Sequence, residues 1–181
     1  MSHSFVASAI LVLSLVTRGV SSAQHSSIPP GVSHDEHLTQ VQKEAEMKRR
    51  ANAAMGFDQD KTTHHFTKTA NGGLIQVEVN DQADRAERDL IRTIRTHLRE
   101  IAREFANGVF EKPVSTHAEV PPGVAVMQRL KGAVTYAFEE TATGGRVRIS
   151  TRNVEALEAI HAFLTYQVVE HRTGDPLSIV H

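Results

Sequence analysis

Thr62-Thr63-His64-His65-Phe66-Thr67-Lys68-Thr69-Ala70-Asn71-Gly72-Gly73-Leu74-Ile75-Gln76-Val77-Glu78-Val79 sets two strand patterns either side of a glycine pair, and the layout returns later in the chain. Phe66 precedes Gly72-Gly73 as Phe138 precedes Gly144-Gly145, and a shift of 72 residues superposes the two stretches. After each glycine pair comes an alternating strand, Ile75/Val77/Val79 and then Val147/Ile149/Thr151, followed by a helical pattern. A doubled β-hairpin-plus-helix unit is the simplest reading. The two copies differ in one informative place: His64-His65 in the first corresponds to Tyr136-Ala137 in the second.

Side chains alternate across a strand, so His64, Phe66, Ile75, Val77 and Val79 share one face while His65, Thr67, Gln76 and Glu78 share the other. The matching apolar set in the second hairpin is Val134, Tyr136, Phe138, Val147 and Ile149. One apolar and one polar face predict an antiparallel sheet covered by helices on one side only. The expected class is therefore α+β: a duplicated ββα unit, a four-stranded antiparallel sheet, two helices on one face, and an additional N-terminal helix.

Working outward, the first long helix is expected over 84–106. Leu90, Ile94, His97, Ile101 and Phe105 form its apolar stripe, opposite Arg85, Arg88, Arg92, Arg95, Arg99 and Arg103. Glu87, Asp89, Glu100 and Glu104 offer partners within the helix, which favours a solvated face over a nucleic-acid surface. A net charge of -1 and 5% aromatic residues without Trp also speak against a nucleic-acid partner. The last helix, 153–171, is expected to bury Leu157, His161, Leu164, Val168 and His171. Between them, 109–131 reads as a long loop with a short helix at its end, and loops of that length are often functional.

At the N-terminal end, the apolar run from Phe5 to Val16, followed by Val20-Ser21-Ser22-Ala23, reads as a signal peptide covering 1–23, with cleavage before Gln24. The run is too short for a comfortable membrane span, so none is expected after cleavage. Residues 24–56 read as a tether and a marginal helix opened by a Ser33/Glu36 capping box, 57–175 as the domain, and 176–181 as a tail. With no Cys, disulfides and a lipid-modified cysteine are excluded.

Histidine is the compositional outlier: 10 of the 11 lie after Ala23. A secreted, Cys-free, His-rich chain points to a transition metal, copper or zinc, in a bacterial periplasm. The first-choice ligands are His64, His65 and His117, then His97 and His161, with Met127 as a soft donor. His161 and His171 are ten residues apart, roughly 15 Å along a helix, so they cannot share one ion. His171 has an alternative role at a helix C-terminus, where the dipole favours a cation, and His97 one as a hydrogen-bonded core residue. The other expectations are a non-catalytic interaction module with structural or pH-responsive histidines; a non-covalent haem, since C-x-x-C-H is absent; and a His-dependent hydrolase, for which no nucleophile motif speaks. The open polar sheet face or edge offers a homodimer contact. An enzyme is the less favoured reading.

Met55-Gly56-Phe57-Asp58-Gln59-Asp60-Lys61-Thr62-Thr63-His64-His65-Phe66 and Glu170-His171-Arg172-Thr173-Gly174-Asp175 resemble stretches of a family of secreted bacterial proteins of unassigned function. The resemblance spans most of 55–175 and implies a secreted bacterial context, with no activity attached.

Overall fold

The structure, a computed structural model, describes residues 34–80 and 85–180. The signal segment, the tether and the Ser33/Glu36 capping box lie outside what is described. The chain is α+β, with its elements in the order α1 (His34–Met55), β1 (Thr62–Thr69), β2 (Gly72–Val79), α2 (Arg85–Ala106), α3 (Glu111–His117), α4 (Val124–Arg129), β3 (Val134–Glu140), β4 (Gly144–Thr151), α5 (Val154–His171) and β5 (Ile179–Val180). Short 3-10 turns precede β1 and β3.

The sheet has five strands in the order β3-β4-β2-β1-β5 and is mixed, which corrects the four-stranded antiparallel sheet expected from the sequence. Both hairpins pair as the alternation requires, with Phe66 opposite Ile75 and Phe138 opposite Val147. They join through antiparallel β2 and β4, where Ile75 faces Val147. The fifth strand comes from the expected tail: Ile179 and Val180 run parallel to β1 beside Lys68 and Thr69. Two residues are too few to show a periodicity.

Close approach explains both glycine pairs. A Cβ on Gly72 would stand 2.0 Å from the Ile149 carbonyl oxygen, and one on Gly144 would stand 2.0 Å from that of Val77. Only a residue without a side chain lets β2 and β4 meet there.

One face of the sheet carries Phe66, Ile75, Val77, Val147 and Ile149 into a core shared with α2 and α5. From α2 come Ile94, Leu98, Ile101, Ala102 and Phe105; from α5 come Ala156, Ala159, Ile160, Phe163, Leu164 and Val168. Burying each large side chain contributes about 1.5–3 kcal/mol. The buried stripe of α5 is thus centred on Ile160 and Phe163, and Leu157 and His161 sit at its margin.

The stretch 109–131 holds the short helix expected at its end, α4, and a second one, α3, where loop was expected. In α3, Pro113 falls in the first turn, where its missing N–H has no partner to lose, and Ala118 closes the helix at φ 58°. Polar contacts hold α1 to the domain: Arg50 Nε donates to the Thr116 carbonyl at 2.9 Å, and Asn52 Oδ1 accepts from the Gln59 N–H at 3.0 Å. Ala51 of α1 is buried. No helix among the described residues is long and apolar enough to cross a membrane.

Candidate functional site

Four histidines from four elements converge on one cavity of about 80 Å³. His64 is on the core face of β1, His97 on the buried side of α2, His117 on the last residue of α3, and His171 in the last turn of α5. Met55 and Ala51 of α1, Phe66, Lys112 and Gln167 also line it. The volume suits a metal ion or a few waters.

The rings form a chain of contacts. His171 meets His117 edge-on at 5.0 Å between ring centres and lies nearly parallel to His64 at 6.3 Å. Phe66 stacks on His171 at 5.6 Å. Phe57 joins the other end, parallel to His64 at 6.3 Å and edge-on to His97 at 5.7 Å.

Burial keeps these imidazoles neutral. It pushes His64 down to about 4, with His65 adding to the effect, and His97 down to about 4, aided by Lys112 and His64. His171 falls to about 3, chiefly by burial and then through His117 and His64. His117 is lowered for the same reason, although Gln167, Glu170 and Glu119 oppose it. His64 and His171 retain some accessible surface as whole residues, but His64 Nε2 is covered, and at that atom desolvation dominates.

Two ring nitrogens in the cavity are buried without a hydrogen-bond partner, His64 Nε2 and His117 Nδ1. For His117 the cause is visible: Nε2 donates its hydrogen to Gln167 Oε1 at 3.2 Å, which leaves the lone pair on Nδ1. Gln59 Nε2 stands 3.5 Å from His171 Nδ1. Among the described residues, no group of three or more His, Cys, Asp or Glu side chains is arranged to hold a metal ion. A preformed tetrahedral centre of those residue types is therefore not built here.

Of the sequence candidates, His64, His97 and His117 share the cavity, whereas His65, His161 and Met127 do not line it. His65 Nδ1 pairs with Asp175 Oδ1 at 2.9 Å, and Asp175 Oδ2 accepts the Phe66 N–H at 2.9 Å. Burial pushes the Asp175 carboxyl up, but Thr173, the Phe66 N–H and His65 together hold it below its ordinary value. His161 Nε2 donates to the carbonyls of Thr69 and Gly72 at 2.9 and 3.0 Å, tying α5 to the β1–β2 turn. Met127 is fully buried in the apolar core.

His171 is among the histidines the sequence offers as ligands, set aside there for a role at a helix end, and two other cavity residues escape the sequence reading. Gln167 carries no ligand signature, and Met55 closes a helix that looked peripheral. Compared with known proteins, the chain matches no family model, no curated protein and no solved structure.

Proposed function

We propose that this chain is a periplasmic, secreted bacterial protein that binds a transition-metal ion, copper or zinc, through the histidines gathered in the cavity. The observation that carries the reading is the pair of unpartnered, buried ring nitrogens, His64 Nε2 and His117 Nδ1. A buried polar atom without a partner is costly, and an unpartnered ring nitrogen facing a cavity is what a metal requires. Because burial keeps the rings neutral, an ion would not have to displace their protons at neutral pH. His171 and His97 stand beside this pair, with His171 5.0 Å from His117 between ring centres.

The test is metal content by mass spectrometry of the untagged chain isolated from a periplasm and re-metallated with copper and zinc. Near-stoichiometric metal is expected, lost in His64→Ala and His117→Ala while circular dichroism shows both folded. Absence of metal in the folded parent chain overturns the reading.

A second reading, an interaction module with structural or pH-responsive histidines, draws on the packing of His64, His97 and His171 against Phe57 and Phe66. In that case the substitutions cost stability and no metal is retained. A cavity of about 80 Å³ is a poor fit to haem. The hydrolase reading is weakened because Asp175, the carboxylate paired with a histidine, belongs to His65 and not to the cavity. We also read the two ββα halves as copies of one unit, a view supported by Gly72 and Gly144 lying over the carbonyls of Ile149 and Val77, each pair 72 residues apart.

A further inference from the structure

The donors in the cavity differ from those a divalent ion favours. Among the described residues no Asp or Glu lines it, and the charged residue that does is Lys112. A dication buried there would meet neutral rings, apolar walls and a nearby ammonium group. Desolvating a charge scales with its square, so a doubly charged ion costs about four times as much to bury as a singly charged one. Zinc also prefers four ligands, and no group of three His, Cys, Asp or Glu is available among the described residues.

A soft donor is present instead. Met55 is the last residue of α1, before Gly56 at φ +79° ends the helix, and it lines the same cavity as His64, His117 and His171. Thioether sulfur and neutral imidazole together select monovalent copper over zinc, and monovalent copper accepts a low coordination number. Both unpartnered rings pack on the same third ring: His171 lies 5.0 Å from His117 and 6.3 Å from His64 between ring centres.

Building on the metal-binding reading, we propose that the cavity is a cuprous site, in which one Cu(I) is held by His64 Nε2, His117 Nδ1 and the Met55 thioether. The ion binds as Cu(I), with no redox step. Gln167 acts as a positioning residue, because its bond to His117 Nε2 presents the opposite nitrogen to the ion. Met55 also gives α1 a role, since the helix brings the soft donor to histidines on β1 and α3.

The full metal-free chain is titrated anaerobically with Cu(I) against bicinchoninate as a competing chelator, and separately with Zn(II). Sulfur ligation is read by X-ray absorption at the copper edge. The informative variant is Met55→Leu, which conserves volume and should remain folded. Expected are one Cu(I) per chain, a sulfur scatterer lost in Met55→Leu, Cu(I) affinity at least about tenfold weaker in that variant, and unchanged Zn(II) affinity. Cu(I) binding that is indifferent to Met55→Leu, or Zn(II) binding that displaces Cu(I) at equal concentration, overturns the cuprous site and leaves the metal-binding reading standing. Failure of the parent chain to bind either ion overturns both.

Discussion

At the C-terminus of α5 two effects act on His171 in opposite directions. The helix dipole favours a cation there, while burial against Phe66, His64 and His117 favours the neutral ring. Burial wins, taking the group to about 3, because the dipole effect is only about 0.3–2 kcal/mol and fades within a turn. Burial likewise lowers His64 and His97, both near 4 when folded against 6.5 when unfolded, with no helix end to oppose it. The unfolded chain therefore binds more protons below pH 6.5. The stability these groups contribute is complete above that value and is lost as pH falls toward 4, by up to about 1.4 kcal/mol per unit for each group. Urea unfolding of the metal-free chain at pH 7 and pH 5 should show a clear loss at the lower pH, and His97→Leu should flatten the dependence. Equal stability at both values would show that burial does not control these rings. Asp175 acts with the same sign at lower pH: its carboxyl is held below its ordinary value, so its contribution is also lost as pH falls, and Asp175→Asn, which weakens the bond to the Phe66 N–H, should cost about 1–2 kcal/mol at pH 7.

Among the elements, the hairpins were the most legible part of the sequence. A period of two sorts His64 from His65 without any tertiary information, and the structure keeps that sorting, with His64 in the cavity and His65 at Asp175. The helices were read less well. Because α5 is apolar around much of its surface, its buried stripe is ambiguous from spacing alone, and Ile160 and Phe163 were missed as its centre. In α3, seven residues with Pro113 in the first turn show no helical period, so the element that positions His117 was read as loop. The arginine stripe on α2 faces solvent in part, but its partners are partly tertiary: Arg95 Nε donates to the Gly144 carbonyl at 2.9 Å and its guanidinium to that of Thr141 at 2.7 Å. Arg95→Ala should therefore destabilise by about 1–3 kcal/mol, whereas exposed Arg103→Ala should stay within about 0.5 kcal/mol. The glycine pairs give a sharper test. Gly72→Ala and Gly144→Ala each drive a Cβ into a β-strand carbonyl and should each cost more than about 2 kcal/mol in urea unfolding, while Gly132→Ala meets nothing within 4 Å and should be near neutral.

For the molecule as a whole, the sheet, α2 and α5 form the packed core, and α1 lies beside it, held by polar contacts and by Ala51 and Met55. Arg50 reaches the Thr116 carbonyl, Lys48 pairs with Asp60, and Glu44 pairs with Arg172. Surface ion pairs contribute little, commonly below about 1 kcal/mol, so α1 should open at a smaller free energy than the core. The sequence reads α1 as a marginal helix from its own pattern, but what it touches is not legible there. Yet α1 ends in Met55 at the cavity wall. If an ion bridges Met55 to histidines on β1 and α3, every opening of α1 breaks a metal bond, and ligand binding stabilises the closed arrangement by mass action. Hydrogen exchange followed by mass spectrometry should show α1 amides exchanging faster than those of β2 and β4 in the metal-free chain. Cu(I) should slow them, with at least about tenfold protection when the free ion is tenfold above its dissociation constant. In Met55→Leu the copper-dependent protection of α1 should disappear, while protection near His64 and His117 persists at higher copper. Protection confined to β1 and α3 in the parent chain would instead place the ion among the histidines alone and leave α1 a passive cover.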